Sequence, residues 1–386
     1  MALIDLWKKD REQILSKNIQ QVIAFAGDGK LFDGSVASME LREYLKNIPS
    51  EVLSKYADQC LAESFQNSGF ALQDIVNEIG RRIGFEVTAG FYRGTSSQSG
   101  HDGLWKDENR HCILVEVKTT DAYRIDLNRI AQYRRDLEKN NLIDFERSSM
   151  LVIVGRQDTG DLEAQIRGSR HAWDMRVISV EALLRMMKLK EEVDDPSIIA
   201  RIHNILTPLD FTRLDQIIEI AFAAVEDIKG DDPVDDEQDS HKNEKKFTPV
   251  AFHAECISKI EIKLNRSLVK QTRTRYSSAD GKTALLCSIS RFHEREKNYW
   301  FAFHPYQDEF LSKVKDSYIA FGCGTADKLF LIPYKNFKPW LECFNKTEKL
   351  NNFYWHIKII ESGKSAKMLG KPGTQNFEIS QYQINL

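Results

Sequence analysis

The sequence has no uninterrupted apolar run near the ~18 residues that a membrane-spanning helix needs, so no such span is expected. Its first ten residues, Met1 to Asp10, show no basic segment followed by a long apolar one, so no secretory leader is read and a cytoplasmic location is expected. The six cysteines (Cys60, Cys112, Cys256, Cys287, Cys323 and Cys343) are dispersed and form no Cys-x-x-Cys pair. That spacing points to reduced, mostly buried thiols rather than a disulfide framework. His253 with Cys256, and Cys287 with His293, lack a second pair at structural-zinc spacing. There is no internal repeat, Walker loop, dinucleotide-binding glycine fingerprint, nucleophile elbow or protein-kinase set, which argues against an ATP-driven motor in this chain.

What is present is ordinary in amount and uneven in placement. The 386 residues are 42% hydrophobic and 29% charged, enough for two or three globular domains with a sizeable core. Net charge is −3, yet residues 245–386 hold 23 Lys and Arg against 13 Asp and Glu, while residues 1–244 hold 31 against 44. A basic back half suggests contact with a polyanion. Between the halves, residues 229–246 contain one apolar residue among dense charge; they cannot bury a core and read as a linker.

The informative stretch is Gly100-His101-Asp102-Gly103-Leu104-Trp105, followed by Ile113-Leu114-Val115-Glu116-Val117-Lys118. Alternation over 111–118 puts Cys112, Leu114, Glu116 and Lys118 on one face of a strand and Ile113, Val115 and Val117 on the other. Charges on a half-buried strand are costly unless compensated. A divalent cation held through oxygen by Asp102 and Glu116 would compensate them, with Lys118 beside the reacting centre. Around this stretch the expected elements run helix (73–84), strand (85–92), strand at Asp102, strand at Glu116, helix (127–137), strand (150–154) and a further strand (175–180).

Asp102 followed by Glu116-Val117-Lys118, set in that α-β-β-β-α-β order, resembles the PD-(D/E)xK restriction-endonuclease-like nucleases over residues 70–185. The motif's proline is absent, and His101 stands before Asp102. The resemblance implies a mixed-sheet α/β core and a Mg²⁺ cofactor, with Mn²⁺ as a substitute. It implies Asp102, Glu116 and the Val117 carbonyl as metal ligands, Lys118 as the catalytic amine, and Gln132 as the residue that orients it. In some relatives a carboxylate on the first core helix adds a ligand, which here would be Glu78. Residues 96–100 could form a flap over the cleft.

Candidate nucleic-acid contacts are Thr119 after the motif, Arg134 on the following helix among Arg129 and Arg135, and the basic loop 266–276 with Lys270, Arg273, Arg275 and Tyr276. Residues 1–67 read as a helical layer, with helices over 3–14, 19–26, 39–48 and 52–62 and Ser50 as a helix N-cap. Residues 68–228 read as the catalytic domain with trailing helices. Residues 247–386 read as a separate β-rich α+β recognition domain, with strands over 257–264, 284–289, 299–303, 318–322, 329–333, 354–360 and 377–379 and short helices over 307–314 and 337–344. Its aromatics are read as core in preference to a base-stacking platform. The expected function is Mg²⁺-dependent cleavage of double-stranded DNA, of the restriction or anti-phage kind. Cutting both strands calls for two active sites, hence a homodimer. Two alternatives stand beside it: an inactive DNA-binding or assembly subunit, and a nuclease released by a small ligand on the second domain.

Overall fold

The computed structural model describes residues 3–62, 65–93, 100–119, 124–155, 159–193, 196, 203–207, 214, 218, 249–294, 296–349, 352–363 and 365–384. The chain divides into two compact units, Met1–Val234 and Asp235–Leu386. The expected linker at 229–246, the flap at 96–99 and most of the trailing helices beyond 193 lie outside the described residues. Among the described residues no helix is long and apolar enough to cross a membrane, and all six cysteines are free thiols.

The first unit opens with helices α1 (Leu3–Lys9), α2 (Arg11–Leu15), α3 (Ile19–Phe25), α4 (Val36–Asn47) and α5 (Ser50–Ala62). The single helix expected over 3–14 is broken at Asp10, whose side chain accepts the Gln13 N–H and starts α2 instead. Ser50 is not the cap expected of it. The Pro49 carbonyl accepts the N–H groups of Val52 and Leu53, leaving Ser50 as the first helical residue with its hydroxyl bonded to Glu191 and Arg82.

Then come α6 (Ser68–Ile83), β1 (Glu86–Ala89), β2 (Gly103–Lys106), β3 (Cys112–Lys118), α7 (Leu127–Lys139), β4 (Ser148–Val154), α8 (Gly160–Arg167), β5 (Met175–Ser179) and α9 (Val180–Glu191). The strands form one mixed sheet in the order β1-β2-β3-β4-β5. The first three strands are antiparallel neighbours, while β3, β4 and β5 run parallel. Parallel neighbours require crossovers, and α7 and α8 supply them.

Alternation along the strands sorts the two faces. Trp105, Ile113, Val115, Leu151, Ile153 and Ile178 pack with the helical layer, α6 and α9. Cys112, Leu114, Met150, Val152, Val154, Met175 and Val177 pack with Leu127, Ile130, Ala131 and Leu137 of α7 and Leu162 and Ile166 of α8. Burial on both faces explains why β4 and β5 read as continuous apolar runs. It also leaves Glu116 and Lys118, in step with Leu114, on the α7 side of the C-terminal end of β3.

The second unit begins with α10 (Pro249–Leu264), where the sequence suggested a strand over 257–264. The β-branched run Ile257-Ser-Lys-Ile260-Glu-Ile262 misleads. Cys256, Ile257 and Ile260 are buried at helical spacing, while Ile262 is 68% exposed.

Next are β6 (Val269–Lys270), β7 (Arg275–Ser277), β8 (Thr283–Ser290), β9 (Phe292–His293), β10 (Asn298–Phe303), α11 (Pro305–Ser312), β11 (Asp316–Cys323) and β12 (Leu329–Pro333). After them come α12 (Tyr334–Phe337), prolonged by a 3₁₀ turn (Lys338–Cys343), then β13 (Asn345–Lys349), β14 (Asn352–Ser362), β15 (Ser365–Leu369) and β16 (Phe377–Glu378). One sheet runs β12-β11-β8-β7-β6, and the other β16-β15-β14-β10-β9 with β13 beside β14. Their inner faces share a core of Leu286, Ile319, Phe321, Phe301, Ile357 and Ile359. The other face of the first sheet packs on α10 through Cys256, Ile260, Leu285 and Cys287.

Candidate active site

The ladder between β2 and β3 ends at the pair Gly103 and Val115. Asp102 lies just past that end. Its N–H donates to the Val115 carbonyl at 3.0 Å, and its carboxylate accepts the Val117 N–H at 2.6 Å. A side-chain oxygen thus takes the place of the carbonyl that a longer β2 would offer. Two residues on, the Lys118 Nζ donates to the Glu116 carboxylate at 2.5 Å. Asp102, Glu116 and Lys118 therefore converge at the end of the central strand. Glu116 is only 8% exposed, while Lys118 is half-exposed.

The Asp102 backbone is clamped from the other face. Its carbonyl accepts the side-chain amides of Gln73 (3.0 Å) and Asn77 (2.9 Å) on α6, and the Gly90 N–H at 3.0 Å. The Asn77 amide oxygen in turn accepts the Trp105 indole N–H at 3.0 Å. Gly90 is required here by close approach, because a Cβ would stand 1.9 Å from the His101 carbonyl oxygen. Sequence reading missed Gln73 and Asn77. Their one signal is two amides four residues apart on the buried face of an apolar helix.

Burial first, then the charge of Glu116, pushes the Asp102 carboxyl up from the ordinary carboxylate range to about 7. A raised carboxyl pKa weakens the fold as the group ionises: its contribution is intact below about 4 and is lost as pH rises through about 7. In chelator-treated protein, Asp102→Asn is therefore expected to gain thermal stability over the native chain at pH 8 and to match it at pH 4. Melting curves at the two values check this, and equal gains at both would contradict it.

The second oxygen of Glu116, Oε2, is buried with no hydrogen-bond partner among the described residues. Such an atom in a native interior calls for a water or an ion. Two crowded carboxylates, one of them with an unpartnered oxygen, form a hard oxygen set that suits Mg²⁺ or Mn²⁺. Among the described residues no cluster of three His, Cys, Asp or Glu side chains could cage a metal. Mg²⁺ does not need one, since it keeps several waters and is held by one or two carboxylates together with substrate phosphate. The residues present fit such a cation.

No family model matches the chain, and no curated protein matches it.

The remaining expected residues fall in different places. Glu78 is not brought to the acidic pair. Its two oxygens are taken by Arg82 (3.1 Å) and Arg81 (3.2 Å), which corrects its assignment as a metal ligand. Gln132 donates to Asp136 at 2.8 Å and accepts from Arg135 at 2.7 Å, so its amide serves α7 and not Lys118.

Arg134 is a buried brace rather than a nucleic-acid contact. It donates to the Ser148 hydroxyl (2.9 Å) and the carbonyls of Phe145 and Ser148 (both 2.7 Å), and pairs with Asp174 at 3.1 Å. Thr119 is half-exposed directly after Lys118. Val117 spends its N–H on Asp102, as described.

In the second unit Tyr276 is core, 7% exposed and edge-on to His253, which removes it as a contact. Lys270, Arg273 and Arg275 stay together on the β6–β7 hairpin, with Arg273 exposed.

Arg129, passed over in favour of Arg134, is the exposed arginine with a link to the site. Its hydrogen bond to the Tyr133 hydroxyl, foremost, holds its pKa up, and the charge of Glu116 adds to that.

Proposed function

We propose that the first unit is a divalent-cation-dependent nuclease that hydrolyses DNA phosphodiester bonds, with a restriction-endonuclease-like core. The observation that carries this is the convergence of Asp102, Glu116 and Lys118 at the end of β3. Support comes from the run α6-β1-β2-β3-α7-β4 and from a sheet that is antiparallel on one side of β3 and parallel on the other.

Asp102, Glu116 and the Val117 carbonyl would hold Mg²⁺ or Mn²⁺. When bound, the cation lowers the pKa of water and draws charge from a phosphate oxygen. Asp102 is fixed for this by the Val117 N–H and by the α6 amides, so little reorganisation is needed. The Lys118 ammonium stands beside the pair and donates to the oxygen on which negative charge develops. Arg129 on α7 grips a flanking phosphate. The second unit recognises DNA through its basic hairpin, and a homodimer brings two sites to the two strands.

The test is a digest of methylated and unmethylated supercoiled plasmid with Mg²⁺, Mn²⁺ or EDTA. Conversion to open-circular or linear DNA in metal only is expected. Intact plasmid under every condition, with metal present and the chain folded, would remove the nuclease reading in favour of an inactive DNA-binding subunit.

A further inference from the structure

Read from sequence, the aromatic residues of the second unit form a core. The structure divides them between the two faces of one sheet. Tyr299, Phe301 and Phe303 of β10 and Trp355 of β14 enter the core. Trp300 of β10 and Tyr354 and His356 of β14 alternate to the outer face, are half-exposed, and belong to none of the hydrophobic cores.

These outer rings form a continuous row. Tyr354 meets Trp300 edge-on at 6.2 Å, His356 at 4.9 Å and His304 at 5.5 Å. His304 lies parallel to Tyr306 at the start of α11, with centroids 5.0 Å apart and planes at 13°. The Arg275 guanidinium of the β6–β7 hairpin stands 5.8 Å over Tyr306. At the other end Lys358 lies across the ladder from Trp300.

The row is pre-set. The Trp300 indole N–H donates to His356 Nδ1 at 3.0 Å, and His356 Nε2 bonds the Thr347 hydroxyl at 2.6 Å. Fixing a large ring in place on a water-facing strand lowers the entropy cost of stacking a ligand on it.

We propose that this row is a binding site for single-stranded nucleic acid. Unpaired bases stack on Trp300 and Tyr354, and Arg275 and Arg273 meet the phosphates. The proposal rests on the nucleic-acid reading above and adds the form of the ligand. Every base offers a π face when unpaired and hides it in a duplex, so aromatic planes interleaved with cations select single strands without reading sequence. The charge agrees, since residues 245–386 carry the chain's positive excess.

The experiment is fluorescence anisotropy with the full chain in EDTA, which suppresses cleavage. The probes are a labelled oligothymidylate of roughly 12 nucleotides, within the range one such surface covers, and a duplex of equal length. The native chain is expected to prefer the single strand. Trp300→Ala and Tyr354→Ala should each weaken it about tenfold or more, leaving duplex affinity unchanged, while Trp300→Phe retains most of the binding. Circular dichroism establishes that each variant is folded. Equal single-strand affinity in folded Trp300→Ala and Tyr354→Ala, or a native preference for duplex, would overturn the proposal. Because no metal is present, either result is independent of whether the first unit cleaves DNA.

Discussion

Lys118→Ala is expected to lower Mg²⁺-dependent plasmid cleavage by a factor of about 100 to 1,000, the size typical of removing one preorganised electrostatic group from a reacting centre. The fold should survive, because Lys118 is half-exposed and, among the described residues, its one ion pair is with Glu116. Lys118→Arg separates charge from geometry. A guanidinium can still balance Glu116, so melting should stay near native, but its planar fork does not place a single donor where the ammonium stood. Low activity with native-like stability in Lys118→Arg is the expected pattern. Native activity in both variants would show that the ammonium takes no part in the reaction.

Arg82→Ala is expected to cost about 3–5 kcal/mol of stability, because it breaks a buried ion pair and strands its partners. Arg82 is 3% exposed. It donates to Glu78 (3.1 Å), to the Ser50 hydroxyl (2.7 Å) and to the carbonyls of Leu45 (2.9 Å) and Ile48 (2.7 Å). Those bonds tie α6, which carries the clamp on Asp102, to the junction between α4 and α5. At roughly 2–4 °C per kcal/mol for a unit of this size, the melting temperature should fall by about 10 °C. Thermal unfolding followed by circular dichroism measures it. Glu78→Gln should share the direction while leaving metal affinity untouched. A loss of metal binding without a loss of stability in Glu78→Gln would restore Glu78 to the acidic site.

The strands of the first unit were legible because their apolar runs are β-branched and end at turn residues. The shared face of Glu116 and Lys118 followed from alternation alone. The 257–264 segment was misread because Ile260, Ile262 and Leu264, at two-residue intervals, imitate a strand, and only the cores around α10 show that Ile262 faces water.

The site was legible in its charged centre and opaque at its edge. Sequence places Glu78, Gln132 and Arg134 on helices near the motif, but it does not say which neighbour claims each polar atom. Arg82, Asp136 and Ser148 claim them, and each of those choices depends on packing between segments distant along the chain or on one side-chain rotamer. Gln73 and Asn77 carried no signal beyond their spacing on the buried face of α6, because they act on a backbone carbonyl. The aromatic load of the second unit was read as one population, since composition does not register which face of a sheet a residue occupies.

Calorimetric titration of Mn²⁺ into the full chain at pH 8, where Asp102 is largely ionised, addresses the acidic pair without recourse to a substrate. Saturable binding is expected in the native chain, unchanged in Glu78→Gln and abolished in both Asp102→Asn and Glu116→Gln. Absence of binding in the native chain, or undiminished binding in Asp102→Asn and Glu116→Gln, would contradict a metal site at the end of β3.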